Sequence, residues 1–353
     1  MAGTTPATLL FPCAGHSTRY PGMRPKWLLT TPTGALAIQQ AVASVRWDGQ
    51  RRIIAIRRAH EVDYAASEVL TRAFGDTIEI IVLDQDTSGP AHTVAEMIRL
   101  GDVQGAIGIK DADTFFEPLP YPGQSFVACT DLRTNLEVSR VGAKSFISIN
   151  ENGLINEVAE KDICSNYISS GFYGFRDASI FLDRFRTYHA RFEGEMFVSH
   201  ITKILLGEGE VFRPVHIDRF VDVGTHTDWR AYTAAQATYV VDIDGVIVRN
   251  QSRYFSPLWG DAPVLLQGNV DALRALQQRG AQLVFMTSRP EEHRQATIAL
   301  LEACGLSAHA LVMDCHHGRR YMLNDFANSN PYPSAVAINI PRNTECLKDY
   351  LDE

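Results

Sequence analysis

Residues 9–29 read LLFPCAGHSTRYPGMRPKWLL: a short apolar run, a loop of small residues, Arg19, and a Pro25-Lys26 pair leading back into apolar residues. Small side chains at Ala14, Gly15, Ser17 and Thr18 let backbone N–H groups approach a polyphosphate closely. Arg19 and Lys26 can neutralise its charge. Outward from this stretch, apolar runs alternate with amphipathic stretches, which predicts α/β architecture throughout. Strands are expected over 8–11, 52–56, 78–83, 106–109 and 125–130, and helices over 35–45, 62–73 and 93–100. An alanine-rich, helix-favouring stretch, DWRAYTAAQA (228–237), precedes a fresh strand at Thr238. The expected domains are therefore 1–237 and 238–353, joined by a short helical connection.

The length of 353 residues favours two domains over one. Hydrophobic residues at 45% and charged residues at 21% suit a well-packed soluble protein. A net charge of −8 argues against a broad nucleic-acid-binding face. No apolar run is long enough to span a bilayer, and the first residues lack the pattern of a signal peptide. The six cysteines show no CxxC spacing and read as free thiols of a reducing compartment, so the expected location is the cytoplasm.

The 9–29 stretch resembles the nucleotide-binding signature of the sugar-phosphate nucleotidyltransferases, the NDP-sugar pyrophosphorylases. Ala14, Gly15, Thr18, Arg19, Pro25 and Lys26 fit that signature, while Ser17 stands where its second glycine usually is. Further segments match in order. AIGIKDADTFF (106–116) ends a strand with Asp111 and Asp113, and the family pattern makes Asp113 the first choice for a metal ligand and Asp111 the second. RFVDVGTHTDW (219–229) offers Asp222 as the second ligand, with Gly224 and Thr225 shaping the turn and Asp228 capping the next helix. In 153–175 the resemblance gives Glu160 to sugar hydroxyls and Lys161 to the substrate phosphate, and makes Gly171 a place for the substrate to approach backbone. An exposed charge pair is the plain alternative for Glu160-Lys161. TSGPAHTV (87–94) is similar to the family loop that meets the base, through Thr87 and Gly89; a Gly-Pro turn into a helix is the alternative.

In the second part, VVDIDGVIV (240–248) reads as a buried strand releasing Asp242 and Asp244 on one side. It resembles the first motif of the haloacid dehalogenase superfamily. That resemblance implies Asp242 as nucleophile and Asp244 as acid and base, both also metal ligands. Thr287 and Ser288 would bind the phosphoryl group, Arg320 (or Arg319) would supply the cation, and Asp325, at a strand end, would complete the metal site. Asn324-Asp325 stands where two acids are usual. The short motif spacing leaves no room for a sizeable cap. Cys315-His316-His317 cannot easily converge on one tetrahedral ion, so zinc is not expected.

Together the resemblances imply a GT-A/Rossmann-like nucleotidyltransferase domain followed by a capless HAD-like Rossmannoid domain. The implied enzyme is bifunctional, serving surface polysaccharide precursors: it transfers a nucleotidyl group from an NTP to a sugar or polyol phosphate, and hydrolyses a phosphomonoester. Mg²⁺ is the implied cofactor. The implied partners are small molecules, without nucleic acid or membrane, and a homo-oligomer is left open. Two alternatives remain: a phosphatase with a nucleotide-binding regulatory or oligomerisation domain, and a GT-A glycosyltransferase. The latter family lacks the Gly15-to-Lys26 cradle.

Overall fold

The computed structural model describes residues 7–46, 48–49, 51–135, 138–250, 263–325 and 335–351. The chain divides into two compact units, Met1–Trp229 and Arg230–Glu353.

The first unit begins with β1 (Thr8–Pro12), α1 (Ala37–Ala43), β2 (Arg51–Arg57), α2 (Arg58–Tyr64), α3 (Ala66–Phe74), β3 (Glu79–Leu83) and α4 (Pro90–Leu100). It continues with β4 (Ile107–Lys110), β5 (Thr114–Phe115), β6 (Phe126–Asp131), β7 (Ser145–Ile149), β8 (Ile155–Glu160) and β9 (Tyr167–Phe175). α5 (Ala178–His189), α6 (Val198–Gly207), β10 (Arg213–His216) and β11 (Val221–Asp222) complete it, and α7 (His226–Ala235) crosses the division between the units. The main sheet runs β10-β6-β9-β4-β1-β2-β3, with β7 and β8 branching from β9. β1 lies parallel to both β2 and β4, and β9 runs antiparallel between β4 and β6. β1 and β4 are buried along nearly their whole length, as apolar central strands of a parallel sheet require. Because Leu10 registers with Ile109, the loops leaving β1 and β4 emerge at the same edge.

The single helix expected over 62–73 is instead two. Ala65 adopts a left-handed conformation (φ 47°). Its N–H closes α2 on the Glu61 carbonyl, while the Glu61 carboxylate accepts the Ser67 N–H at 2.8 Å and starts a new helix. α7 begins two residues ahead of the expected helix, so Asp228 lies inside the first turn rather than at its cap. Thr225 and Asp228 form a reciprocal pair: the Asp228 carboxylate accepts the Thr225 N–H at 3.1 Å, and the Thr225 hydroxyl accepts the Asp228 N–H at 3.3 Å.

The second unit contains β12 (Thr238–Asp242), α8 (Gln267–Gln278), β13 (Gln282–Met286), α9 (Arg294–Ala303) and β14 (Ala310–Val312). Its sheet is parallel, in the order β12-β13-β14, over a core that includes Val241, Ile243, Val270, Leu273 and Phe285. The strand expected to run through Val248 stops at Asp242. Beyond it the Ile247 N–H turns back to the Ile243 carbonyl at 2.9 Å, with Gly245 at φ 98°. Asp244 is therefore a turn residue, and period-two alternation does not govern where it points. The strand end expected at Asp325 is also missing: 321–325 is irregular, and Leu323 is 93% exposed, so its side chain buries no apolar surface that could anchor a strand. Among the described residues no helix is long and apolar enough to cross a membrane.

Replacing Asp228 with Ala removes the acceptor for Thr225 and also for the Ser139 hydroxyl. The expected loss is about 1–2 kcal/mol of stability, to be measured by urea unfolding; an unchanged midpoint would count against the reciprocal cap.

Candidate active site

The small-residue loop springs from β1. Ala14 is buried against the core, whereas Gly15, Thr18 and Arg19 are exposed. Ser17 takes a left-handed conformation (φ 51°), and its hydroxyl accepts the Lys26 N–H at 3.3 Å, which ties the two ends of the loop together. The loop is also pinned to the segment after β11: the Tyr20 hydroxyl donates to the Val223 carbonyl, and the Arg19 carbonyl accepts the His226 N–H at 3.3 Å.

That pinning brings the acidic residues in. β5 and β11 form a two-residue antiparallel ladder in which Asp222 stands opposite Thr114. The Val223 N–H bonds the Asp113 carbonyl at 2.9 Å, so Asp113 and Asp222, far apart in sequence, become neighbours. Gly224 lies between them. A Cβ there would meet Asp222 Oδ1 at 2.8 Å, Asp113 Oδ2 at 3.2 Å and Arg19 Nη1 at 3.7 Å. Each carboxylate carries a lysine: Lys26 Nζ on Asp113 Oδ2, and Lys144 Nζ on Asp222 Oδ2. Burial alone would push the Asp113 carboxyl up, but Lys26 beside it and Arg19 hold it below the usual carboxylate range.

Beneath this group lies Lys110, fully buried. Its ammonium donates to the Asp111 carbonyl at 2.8 Å and to the Thr114 carbonyl and hydroxyl, both at 2.6 Å. The Thr114 hydroxyl in turn donates to the Ser170 carbonyl of β9 at 2.9 Å. Lys110 Nζ also sits 4.9 Å from the centre of the Phe116 ring. Burial lowers the Lys110 pKa and raises that of Asp111; Asp113 raises Asp111 further. Asp111 packs against Gly171, where a Cβ would come within 2.5 Å of Asp111 Oδ2. The residue approaching the Gly171 backbone is thus Asp111 of the same chain, and φ 73° adds a second reason for glycine there.

The remaining expected contacts spread along β7, β8 and α4. The Glu160 carboxylate accepts the Ser145 hydroxyl and, at 2.6 Å, the Ser199 hydroxyl. Lys161 Nζ lies 4.4 Å over the Phe197 ring. The Thr87 hydroxyl pairs with that of Thr93 at 2.7 Å. Gly89 packs so closely on Glu195 and Met196 that a Cβ would come within 2.8 Å of Glu195 Cγ; this contact with its own chain explains the glycine without a base. Sequence reading missed Lys110 and Lys144. Lys110 closes the otherwise apolar strand β4, which is its one signal in the sequence; Lys144 gives none, since only tertiary contact sets it on Asp222.

In the second unit Arg320 Nη1 bonds Asp242 Oδ2 at 3.0 Å, so of the two adjacent arginines Arg320 meets the strand-end carboxylate. Asp244 is held bidentately by buried Arg289, at 2.9 and 2.8 Å, and the Thr287 hydroxyl reaches Asp244 Oδ2 at 3.4 Å. Arg289 was also missed, although it directly follows Thr287 and Ser288 in the same TSR run. Ser288 is half-buried. Asp325 is exposed, in the irregular stretch 321–325. Across the described residues no three His, Cys, Asp or Glu side chains cluster as a metal site.

No protein-family model matches the chain, and no curated relative matches it. Solved structures do. The chain is similar to the nucleoside-diphosphate-sugar pyrophosphorylase from Vibrio cholerae RC9, at 22% identity and a TM-score of 0.56, over 64% of this chain and 99% of that one. It is also similar to the inositol-1-phosphate CTP transferase from T. maritima, at 12% identity and a TM-score of 0.50, over 64% of this chain and 94% of that one. The shared property is the nucleotidyltransferase-like α/β fold. The share matched is about that of Met1–Trp229.

Asp111→Asn tests the electrostatics. A carboxyl raised by burial keeps its proton to higher pH in the folded chain than in the unfolded one, so it costs the fold stability as pH rises through the folded pKa. The melting temperature of the variant, relative to the unsubstituted protein, should rise between about pH 4 and about pH 7 and stay level above that. A constant difference would mean that Asp111 is well solvated.

Proposed function

We propose that the first unit transfers a nucleotidyl group from an NTP to a small phosphorylated acceptor, a sugar or polyol phosphate, releasing pyrophosphate. The observation that carries this reading is the meeting of Asp113 and Asp222 at Gly224, with Arg19 and Lys26 beside them. Two hard carboxylate oxygens on either side of a position that glycine keeps open suit Mg²⁺, which takes few protein ligands and fills its shell with phosphates and water. Asp113 and Asp222 would hold it, and when bound it supplies charge neutralisation at the reacting phosphate. The loop 13–25 offers its backbone to the triphosphate, Arg19 stabilises the departing pyrophosphate, and Lys26 bridges the reacting phosphates. An acceptor phosphate oxygen attacks the α-phosphorus in line, with no covalent enzyme intermediate. Glu160, fixed by Ser145 and Ser199, binds acceptor hydroxyls. A nucleoside-diphosphate-sugar pyrophosphorylase and an inositol-1-phosphate CTP transferase among the similar structures are in keeping with this chemistry.

The second unit supports a separate reading as a phosphatase of the haloacid dehalogenase type. Its support is Asp242 at the carboxyl end of a parallel strand, with Arg320 on its free oxygen and Thr287 after the neighbouring strand. Asp242 would attack phosphorus, and Asp244 would have to leave Arg289 to serve as acid and base. Trimming a phosphate before activation would join the two steps in making a surface polysaccharide precursor.

Mass spectrometry of NTP consumption tests the first reading, with each common NTP and Mg²⁺ offered beside a pool of sugar and polyol phosphates. One NDP-linked product is expected, lost in Lys26→Ala and kept in Asp242→Asn. No NTP consumption would overturn it. For the second unit, phosphate release from p-nitrophenyl phosphate should vanish in Asp242→Asn and persist in Lys26→Ala; release that survives Asp242→Asn would remove the phosphatase reading.

A further inference from the structure

Lys144 has no part in the transfer as drawn above, yet its ammonium rests on Asp222, one of the two carboxylates that the transfer needs. Its backbone is fixed. The Lys144 N–H donates to the Val141 carbonyl at 3.1 Å, and the Lys144 carbonyl accepts the Lys161 N–H at 3.0 Å. Lys144 and Lys161 therefore stand opposite each other, one step beyond the Ser145–Glu160 pair that ends the β7–β8 ladder. Lys161 leaves the strand in a left-handed conformation (φ 57°), so the two side chains part from adjoining backbone. In the structure each has its own partner: Asp222 takes Lys144, and the Phe197 ring takes Lys161. Once Asp222 turns to a divalent cation, Lys144 loses its counter-ion while its backbone stays beside Lys161 and the clamped Glu160. A dianionic phosphomonoester is the charge that two such ammonium groups match.

We infer that Lys144 is a further catalytic residue, the counter-ion of Asp222 in the free protein and a ligand of the acceptor phosphate, together with Lys161, during transfer. The inference rests on the nucleotidyl-transfer reading and narrows the acceptor to a phosphate dianion. Lys144 and Lys26 then divide the work: Lys26 serves the nucleotide side of the carboxylate pair and Lys144 the acceptor side.

Two measurements on Lys144→Met test it, repeated on Lys144→Gln, which keeps a hydrogen-bond donor for Asp222 without the charge. The first is titration of the nucleotide-free protein with Mn²⁺ alone, followed by electron paramagnetic resonance. Removing the competing ammonium should tighten binding at least about threefold. The second is the split of KM values with whichever pooled phosphate ester supports turnover. The acceptor KM should rise about 10- to 100-fold, with the NTP KM unchanged. Unchanged or weaker Mn²⁺ binding, or a raised NTP KM beside an unchanged acceptor KM, overturns the role of Lys144 alone. Unsubstituted protein that consumes no NTP overturns the transfer reading and this inference with it.

Discussion

Two carboxylates held side by side repel, and the first unit is arranged around that repulsion. The β5–β11 ladder and the Val223–Asp113 bond put Asp113 and Asp222 on either side of Gly224. Such a pair persists in the ionised state only with cations at hand. Arg19 and Lys26 from the loop after β1, and Lys144 from just ahead of β7, supply them. The loop after β1, the turn after β4 and the start of β7 are thereby drawn to one place. Electrostatics, as much as apolar packing, decides how those loops lie.

Much of this was legible in the chain, for identifiable reasons. Apolar runs flanked by turn residues gave the parallel strands to within a residue or two, since burial on both faces leaves little freedom in composition. The small-residue loop and the strand-end aspartates could be read because their chemistry depends on local spacing. Reading failed where a local feature overrode periodicity. Ala65 breaks a helix that its neighbours favour, because Glu61 caps the helix that follows. Gly245 ends a strand that valine and isoleucine favour on both sides. Lys144 was out of reach altogether, since nothing within its own stretch reports that Asp222 will fold against it.

The second unit shows a different limit. Its motif residues occur in the expected order, but the structure distributes them unequally. Asp242 is bonded to Arg320, and Asp244 separately to Arg289 and Thr287, whereas Asp325 lies in an exposed, irregular stretch. Motif order constrains which strand a residue follows. It does not settle whether the side chain arrives, because that depends on an intervening segment burying enough surface to hold it.

The buried ammonium of Lys110 has a consequence for how the site comes into being. It can leave water only when all its acceptors are present: the Asp111 carbonyl, both Thr114 oxygens, and through Thr114 the Ser170 carbonyl of β9. A chain with β4 in place and β9 absent would leave the ammonium open to water and the Thr114 hydroxyl without its Ser170 acceptor, so the buried network is complete only once β9 docks. The turn carrying Asp113 and the central antiparallel strand therefore form, and open, as one cooperative step. The acidic half of the site cannot loosen without breaching the core, so adjustment to a ligand falls to the exposed loop between Gly15 and Arg19.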